Sequence, residues 1–310
     1  MPVEGVLEKF GGVSLGAFAL ALILHVAKLC ARARGWHNIV RAAYPENAPR
    51  FRDSLGAFFV GVGVDSFVPA RAGELLRVEL VRRRTPDATF PGLVSTLFAE
   101  YVLDVVLSVV VVAIVLFTAP MPNGPSELLE PLTRHTLILP AVLGVVLLLV
   151  ALVVRRRPNL RPLLAEARRG LAVLACPSYY LRRVAGWQVL GWVLRVASVY
   201  WFLVAFGVPA SIGTAALVVA VQLAAGAVPL TPGGAGSQQA MLIVALSMAS
   251  AASVLAFGIG MQAATVVTNI ALGAISLLVM TGSVRWRALR PTVEQPLAAP
   301  APVTAPATAP

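Results

Sequence analysis

Long apolar stretches broken by short polar segments set the pattern of this chain. Residues 13–31, 93–117, 137–154, 184–206 and 251–282 are each apolar enough and long enough to cross a hydrocarbon layer as helix, which takes about 20 residues. Residues 55–68 are shorter and end at a polar break, residues 65–74, that carries Asp65, Ser66, Pro69, Arg71, Gly73 and Glu74. Residues 212–230 run into a second break, residues 229–239, built from Pro229, Pro232, Gly233, Gly234, Gly236, Ser237, Gln238 and Gln239, and the apolar residues 240–250 follow. A bilayer offers no water to broken backbone, so such segments persist only where protein buries them or a polar cavity wets them. Paired breaks in matching places of two halves point to a substrate site of transporter type.

The basic residues set the expected orientation. Residues 28–52, 71–84, 155–183 and 285–290 hold 22 of the 25 Lys and Arg residues. Segments 118–135 and 207–211 are nearly free of them. Lys and Arg collect on the cytoplasmic side, so the first group is expected inside and the second outside. Residues 54–70 then enter from the inside, turn near residues 61–65 and return. Residues 212–250 enter from the outside, turn at residues 232–236 and return. Two hairpins entering from opposite faces form an inverted repeat. The expected fold is therefore all-α, a polytopic helical membrane protein with two re-entrant or broken-helix hairpins.

Composition agrees. Of 310 residues, 58% are hydrophobic and 13% charged, against about 25% charged in soluble domains, and the mean hydropathy is +0.83. The first apolar stretch lacks a basic leader and a small-x-small cleavage site, so it reads as a retained span. The net charge of +11 would suggest nucleic acid in a soluble chain. Here it marks loops, and no basic run is interleaved with aromatics. Cys30 and Cys176 form no disulfide framework or redox motif. His25, His37 and His135 are too scattered for a metal site and read as packed or interfacial. No cofactor or metal is expected. Residues 163–174 can form an amphipathic helix at the anionic inner surface. Residues 1–290 form the transmembrane domain. Residues 291–310, rich in Pro, Ala and Thr, cannot bury a core and are expected as a disordered cytoplasmic tail.

Three constellations carry candidate chemistry. Arg71, Glu74 and Arg77 fall on one helix face, where arginine forks suit phosphate or carboxylate. Pro69 and Gly73 punctuate this segment, and Asp65 or Ser66 can cap the helix that follows. The alternative is a basic turn at the membrane edge. Next, Pro232, Gly233, Gly234 and Gly236 cannot sustain helix, so Ser237 can cap a helix whose free amides favour anions, with Gln238 and Gln239 as neutral donors and acceptors. Here the alternative is a plain turn outside the membrane. Finally, Glu100 and Asp104 share a face within a span, where carboxylates are functional or paired. Arg71, Arg77 and Arg195 are the expected partners, and a structural ion pair is the alternative. No nucleophile motif is present.

These residues resemble a family. Residues 69–77 (Pro-Ala-Arg-Ala-Gly-Glu-Leu-Leu-Arg), Glu100 with Asp104, and Pro229 with Pro232, Gly233, Gly234 and Gly236 are similar to the membrane region of lysylphosphatidylglycerol synthases and the wider flippase-like integral membrane proteins. The likeness spans residues 15–285. It implies a helical membrane fold with re-entrant elements and a role in handling lipids or lipid-linked intermediates. Three positions depart from the family pattern. Asp65 stands where Asn is usual, Gln239 where Glu is usual, and Thr268 and Asn269 near a usual Arg. The cytosolic aminoacyl-transfer domain is absent from the chain, so its enzyme activity is not expected here.

Together these readings predict a multi-pass protein of the cell membrane that binds an anionic lipid headgroup between the two breaks. Arg71 and Arg77 would hold phosphate, residues 237–239 would supply amides, and Glu100 and Asp104 would balance charge or carry a proton. The alternative is a non-transporting scaffold for a membrane enzyme, docked through residues 155–183. A membrane-embedded enzyme using Glu100 or Asp104 is a third class.

Overall fold

The first spanning helix winds well past its apolar stretch. Helix α1 (Leu15–Ala43) continues through Arg32, Arg34, His37, Asn38 and Arg41. Leu29, Ala33, Trp36 and Val40 are buried in one cluster, and their spacing keeps a single face toward the core. The computed structural model describes residues 10–68, 71–118, 161–227 and 236–281. The remaining elements are α2 (Phe51–Asp65), α3 (Ala72–Arg82), α4 (Phe90–Thr118), α5 (Arg161–Leu171), α6 (Gly186–Ala205), α7 (Ile212–Ala227), α8 (Ser237–Ala245) and α9 (Ala251–Thr281). A π-helical stretch, Tyr180–Ala185, leads into α6. No strand occurs among the described residues.

Four described helices are long and apolar enough to span a membrane: Leu15–Ala43, Phe90–Val115, Pro177–Ala205 and Ala251–Met280. They match four of the five expected spans. The fifth, residues 137–154, lies outside the described residues, as do residues 119–135, 155–160 and 282–310. One correction concerns the charge count. Lys28 and Arg32 are helical residues facing the interior cavity, so the basic bias of residues 28–52 rests on Arg34, Arg41, Arg50 and Arg52.

The first hairpin forms from α2 and α3, but its turn falls later than expected. Gly61 and Gly63 stay helical, because their missing side chains serve close packing. A Cβ on Gly63 would sit 3.0 Å from the Asn269 carbonyl oxygen and 3.1 Å from the Gly273 Cα of α9. A Cβ on Gly73 would collide with the Gly61 carbonyl. Backbone thus meets backbone across the hairpin, and the chain reverses between Asp65 and Arg71. The second hairpin is visible as α7 packed on α8, and residues 228–235 between them lie outside the described residues.

Two large apolar clusters hold the bundle, with a third, smaller one around Ile39, Ala99 and Val184. One gathers Phe202, Leu203, Leu242, Leu246 and Phe257 between α6, α8 and α9. The other gathers Trp36, Phe58, Val78, Val81 and Leu93. In lipid such contacts act through packing rather than exclusion of water. Val102, Val106 and Val109 of α4 are exposed, as a lipid-facing surface requires.

Helix α5 covers most of residues 163–174, where an amphipathic helix was expected. It packs along the first turns of α4. Thr89 donates to Glu166 Oε2 at 3.1 Å, and Gly170 sits so close to Gly92 and Ser95 that a Cβ has no room.

Candidate functional site

Glu100 and Asp104 are one turn apart on α4 and collect cations from two other helices. Arg32 of α1 donates to Glu100 Oε1 at 3.0 Å and to Asp104 Oδ2 at 2.5 Å. Arg77 of α3 donates to Glu100 Oε2 at 2.8 Å. The Arg77 guanidinium also lies 4.7 Å from the Trp36 ring centre and 5.0 Å from that of Phe58. Trp192 of α6 donates its indole N–H to Asp104 Oδ1 at 2.9 Å, and Gln188 donates to the Glu100 backbone carbonyl at 3.1 Å. Glu100 is 1% and Arg77 5% exposed, so neither charge would be tolerable without the other. Of the expected partners, Arg77 takes part. Arg71 and Arg195 do not, and Arg32 was missed.

At the first break, Asp65 caps α3 as expected: the Gly73 amide donates to Asp65 Oδ1 at 2.8 Å. Arg71 precedes that helix at φ 55° and ψ 35°, a left-handed conformation that is uncommon for a residue with a Cβ. Its side chain lies 3.5 Å from Glu74 Oε1 and donates to the Tyr101 hydroxyl at 3.1 Å. Pro69 lies outside the described residues.

At the second break, Gly236 takes the cap position with φ +90°, and Ser237 is the first helical residue rather than the cap. The Gly236 amide donates to Gln239 Oε1 at 2.7 Å, so the Gln239 side chain turns back onto the cap. Gln239 also donates to Gln262 of α9. Gln238 is buried. Pro232, Gly233 and Gly234 lie outside the described residues.

A cavity of about 590 Å³ opens between the helices, and the predicted Arg71, Glu74, Arg77, Asp104 and Arg195 all line it. So do His25, Lys28 and Arg32, which sequence reasoning passed over. Their positions on α1, three and then four residues apart, put them on one face, and that spacing was the available signal. Lys28 Nζ donates to His25 Nδ1 at 3.2 Å. An ammonium group accepts nothing, so the Nε2–H of His25 donates to Asn269 Oδ1 at 2.9 Å. Asn269 in turn donates to the Ser66 hydroxyl at 3.2 Å. Asn269 thus joins the first break to α9 where the resembled family has a cation nearby.

Arg195 donates to Gln222 Oε1 at 3.2 Å and lies 5.3 Å from the Trp192 ring centre. Among the described residues, neither Lys28 nor Arg195 has a carboxylate within ion-pair distance. The cavity therefore carries two cations beyond the paired Arg32, Arg71 and Arg77. A smaller cavity of about 290 Å³ adjoins it and shares Val62, Asp65, Gln222, Met261, Thr265 and Asn269. No group of His, Cys, Asp and Glu that could hold a metal ion occurs among the described residues.

Helices of spanning length around an interior charged cavity define a polytopic all-α membrane protein. The sequence matches the family described as lysylphosphatidylglycerol synthase TM region over residues 3–273, and the chain belongs to that family. Comparison with curated proteins finds no match, and comparison with solved structures finds none.

Proposed function

We propose that this protein is a flippase-like lipid handler that binds, and moves across the bilayer, an anionic lipid or lipid-linked intermediate. The observation that carries this reading is the pair Lys28 and Arg195, cations without a carboxylate partner among the described residues, on the wall of a 590 Å³ cavity between spanning helices. An unpaired charge at such depth is expensive unless a ligand answers it, and a phosphate does. Arg77 is engaged by Glu100 and Arg71 by Glu74, so these arginines shape the potential while Lys28 and Arg195 meet the headgroup. The chain binds and releases lipid without making or breaking covalent bonds. It works in the cell membrane with its basic segments at the cytoplasmic face. The test is headgroup translocation in liposomes holding the purified protein. Lys28→Met with Arg195→Met is expected to slow transport of an anionic lipid at least tenfold. Transport at the parental rate refutes the reading.

A further inference from the structure

Between Arg195 and Arg285 the sequence contains no Asp, Glu, Lys, Arg or His. Helices α7, α8 and α9 therefore face the interior with amides and hydroxyls alone. Gln222, Gln238, Gln262, Thr265 and Asn269 gather around the 290 Å³ cavity. Among the described residues its single charged group is Asp65, whose Oδ1 accepts the Gly73 amide. Gln238 is 6% exposed and has no hydrogen-bond partner among the described residues. A buried carboxamide left without partners is unfavourable, and this one lines a cavity that a ligand can enter.

A carboxamide both donates and accepts. Its complement is a group that does the same without charge, and a hydroxyl is the commonest such group. A phosphate would gain more beside Lys28 and Arg195. An ammonium-bearing headgroup would meet one carboxylate here, Asp65, whose Oδ1 already accepts the Gly73 amide, against the amides and hydroxyls of the other polar side chains. Gln222 faces both cavities and accepts from Arg195, so a ligand held by the cations continues directly into the amide-lined space. Both volumes suit ligand sites, which run from roughly 300 to 1,000 Å³.

We infer that the ligand is a lipid whose phosphate bears an uncharged polyhydroxylated headgroup, a sugar or cyclitol. The phosphate sits at Lys28 and Arg195, and the hydroxyls meet Gln238 and the carboxamides around it. This inference rests on the anionic-lipid reading above and adds the headgroup class.

The test is equilibrium binding to the full chain in detergent. Four probes are compared: dioctanoyl phosphatidylinositol, dioctanoyl phosphatidic acid, dioctanoyl phosphatidylcholine and free inositol 1-phosphate. The inositol lipid is expected to bind about tenfold more tightly than phosphatidic acid, roughly 1.4 kcal/mol, with phosphatidylcholine weakest. Gln238→Leu, and independently Thr265→Val, is expected to erase most of that preference. Equal affinity for the inositol lipid and phosphatidic acid overturns the headgroup class and leaves the anionic-lipid reading standing. If neither anionic lipid binds better than phosphatidylcholine, the anionic-lipid reading fails as well. Free inositol 1-phosphate binding as tightly as the lipid overturns the lipid assignment. A preference surviving both substitutions overturns the assignment to this cavity.

Discussion

Glu100→Gln removes one negative charge from the point where three helices meet, and its effect follows from what remains. Arg32 keeps Asp104 at 2.5 Å. Arg77 loses its carboxylate, is only 5% exposed, and its Nε has no hydrogen-bond partner even in the parent. The Trp36 and Phe58 rings flank it, so it cannot swing easily to a new partner. Removing one member of a buried ion pair costs about 3–5 kcal/mol. Glutamine can still accept one hydrogen bond, and Arg32 is half served, which sets the expectation at the lower end, roughly 3 kcal/mol. At about 2–4 °C per kcal/mol for a chain of a few hundred residues, the melting temperature in detergent should fall by roughly 6–12 °C. Adding Arg77→Met removes the stranded cation, so the double variant should recover at least half of the loss. Thermal unfolding of parent, both single variants and the double variant closes the cycle. A Glu100→Gln protein melting within about 1 °C of the parent would refute the reasoning, as would a double variant showing simple additivity.

Other outcomes follow from the hairpin and the loops. Asp65→Asn keeps an oxygen for the Gly73 amide and should be nearly neutral in thermal unfolding, whereas Asp65→Ala should destabilise by about 1 kcal/mol; equal effects would dismiss the cap. Burial would raise the Glu79 carboxyl, but the Arg82 and Arg83 guanidiniums, at 2.8 and 2.9 Å, outweigh it and hold it below the usual carboxylate range. Because the folded value is the lower one, the stabilisation is complete above the unfolded value of about pH 4.3 and is lost as pH falls through the folded value. Its size should stay below about 1 kcal/mol. Glu79→Gln should therefore melt closer to the parent at pH 3 than at pH 7, and an equal gap at both would count against the pairing. Single cysteines at Glu46 and Pro209, in a background lacking Cys30 and Cys176, should label from opposite faces; labelling from one face would remove the basis for opposed hairpins.

The spanning helices were legible because continuous apolar sequence has few other uses, and the first hairpin because Pro69, Gly73 and a run of charge interrupt it. The helix start at Ser237 was found to within one residue, with Gly236 taking the cap since its φ of +90° suits glycine. The turn of the first hairpin was misplaced because glycine breaks helices in water but lets backbones touch in a bundle. Gly61 and Gly63 do the latter. Two of the cavity's five arginines and lysines were missed for a related reason. Lys28 and Arg32 follow an apolar stretch, so charge counting assigned them to a loop. The stripe of Leu29, Ala33, Trp36 and Val40 shows that the helix continues and that these charges face inward. Partner choice for Glu100 and Asp104 was read only in part, with Arg77 named and Arg32 missed, since it depends on which of five cavity arginines and lysines the packing brings within reach.

The Arg32–Glu100–Asp104–Arg77 cluster has a mechanical consequence. Charged bonds fasten α1, α3 and α4 together, and the Trp192 indole adds α6. The other wall, α7 to α9, carries no charge and meets this block through neutral acceptors such as Gln222 and Asn269. The two walls therefore differ in how much resistance they offer to separation. Opening along the seam between them breaks apolar packing and hydrogen bonds to uncharged groups, while pulling α1, α3 or α4 apart would also part ion pairs in a poorly solvated interior. Residues of both walls line the larger cavity, so a separation that spares every ion pair of the block is also one that opens that cavity.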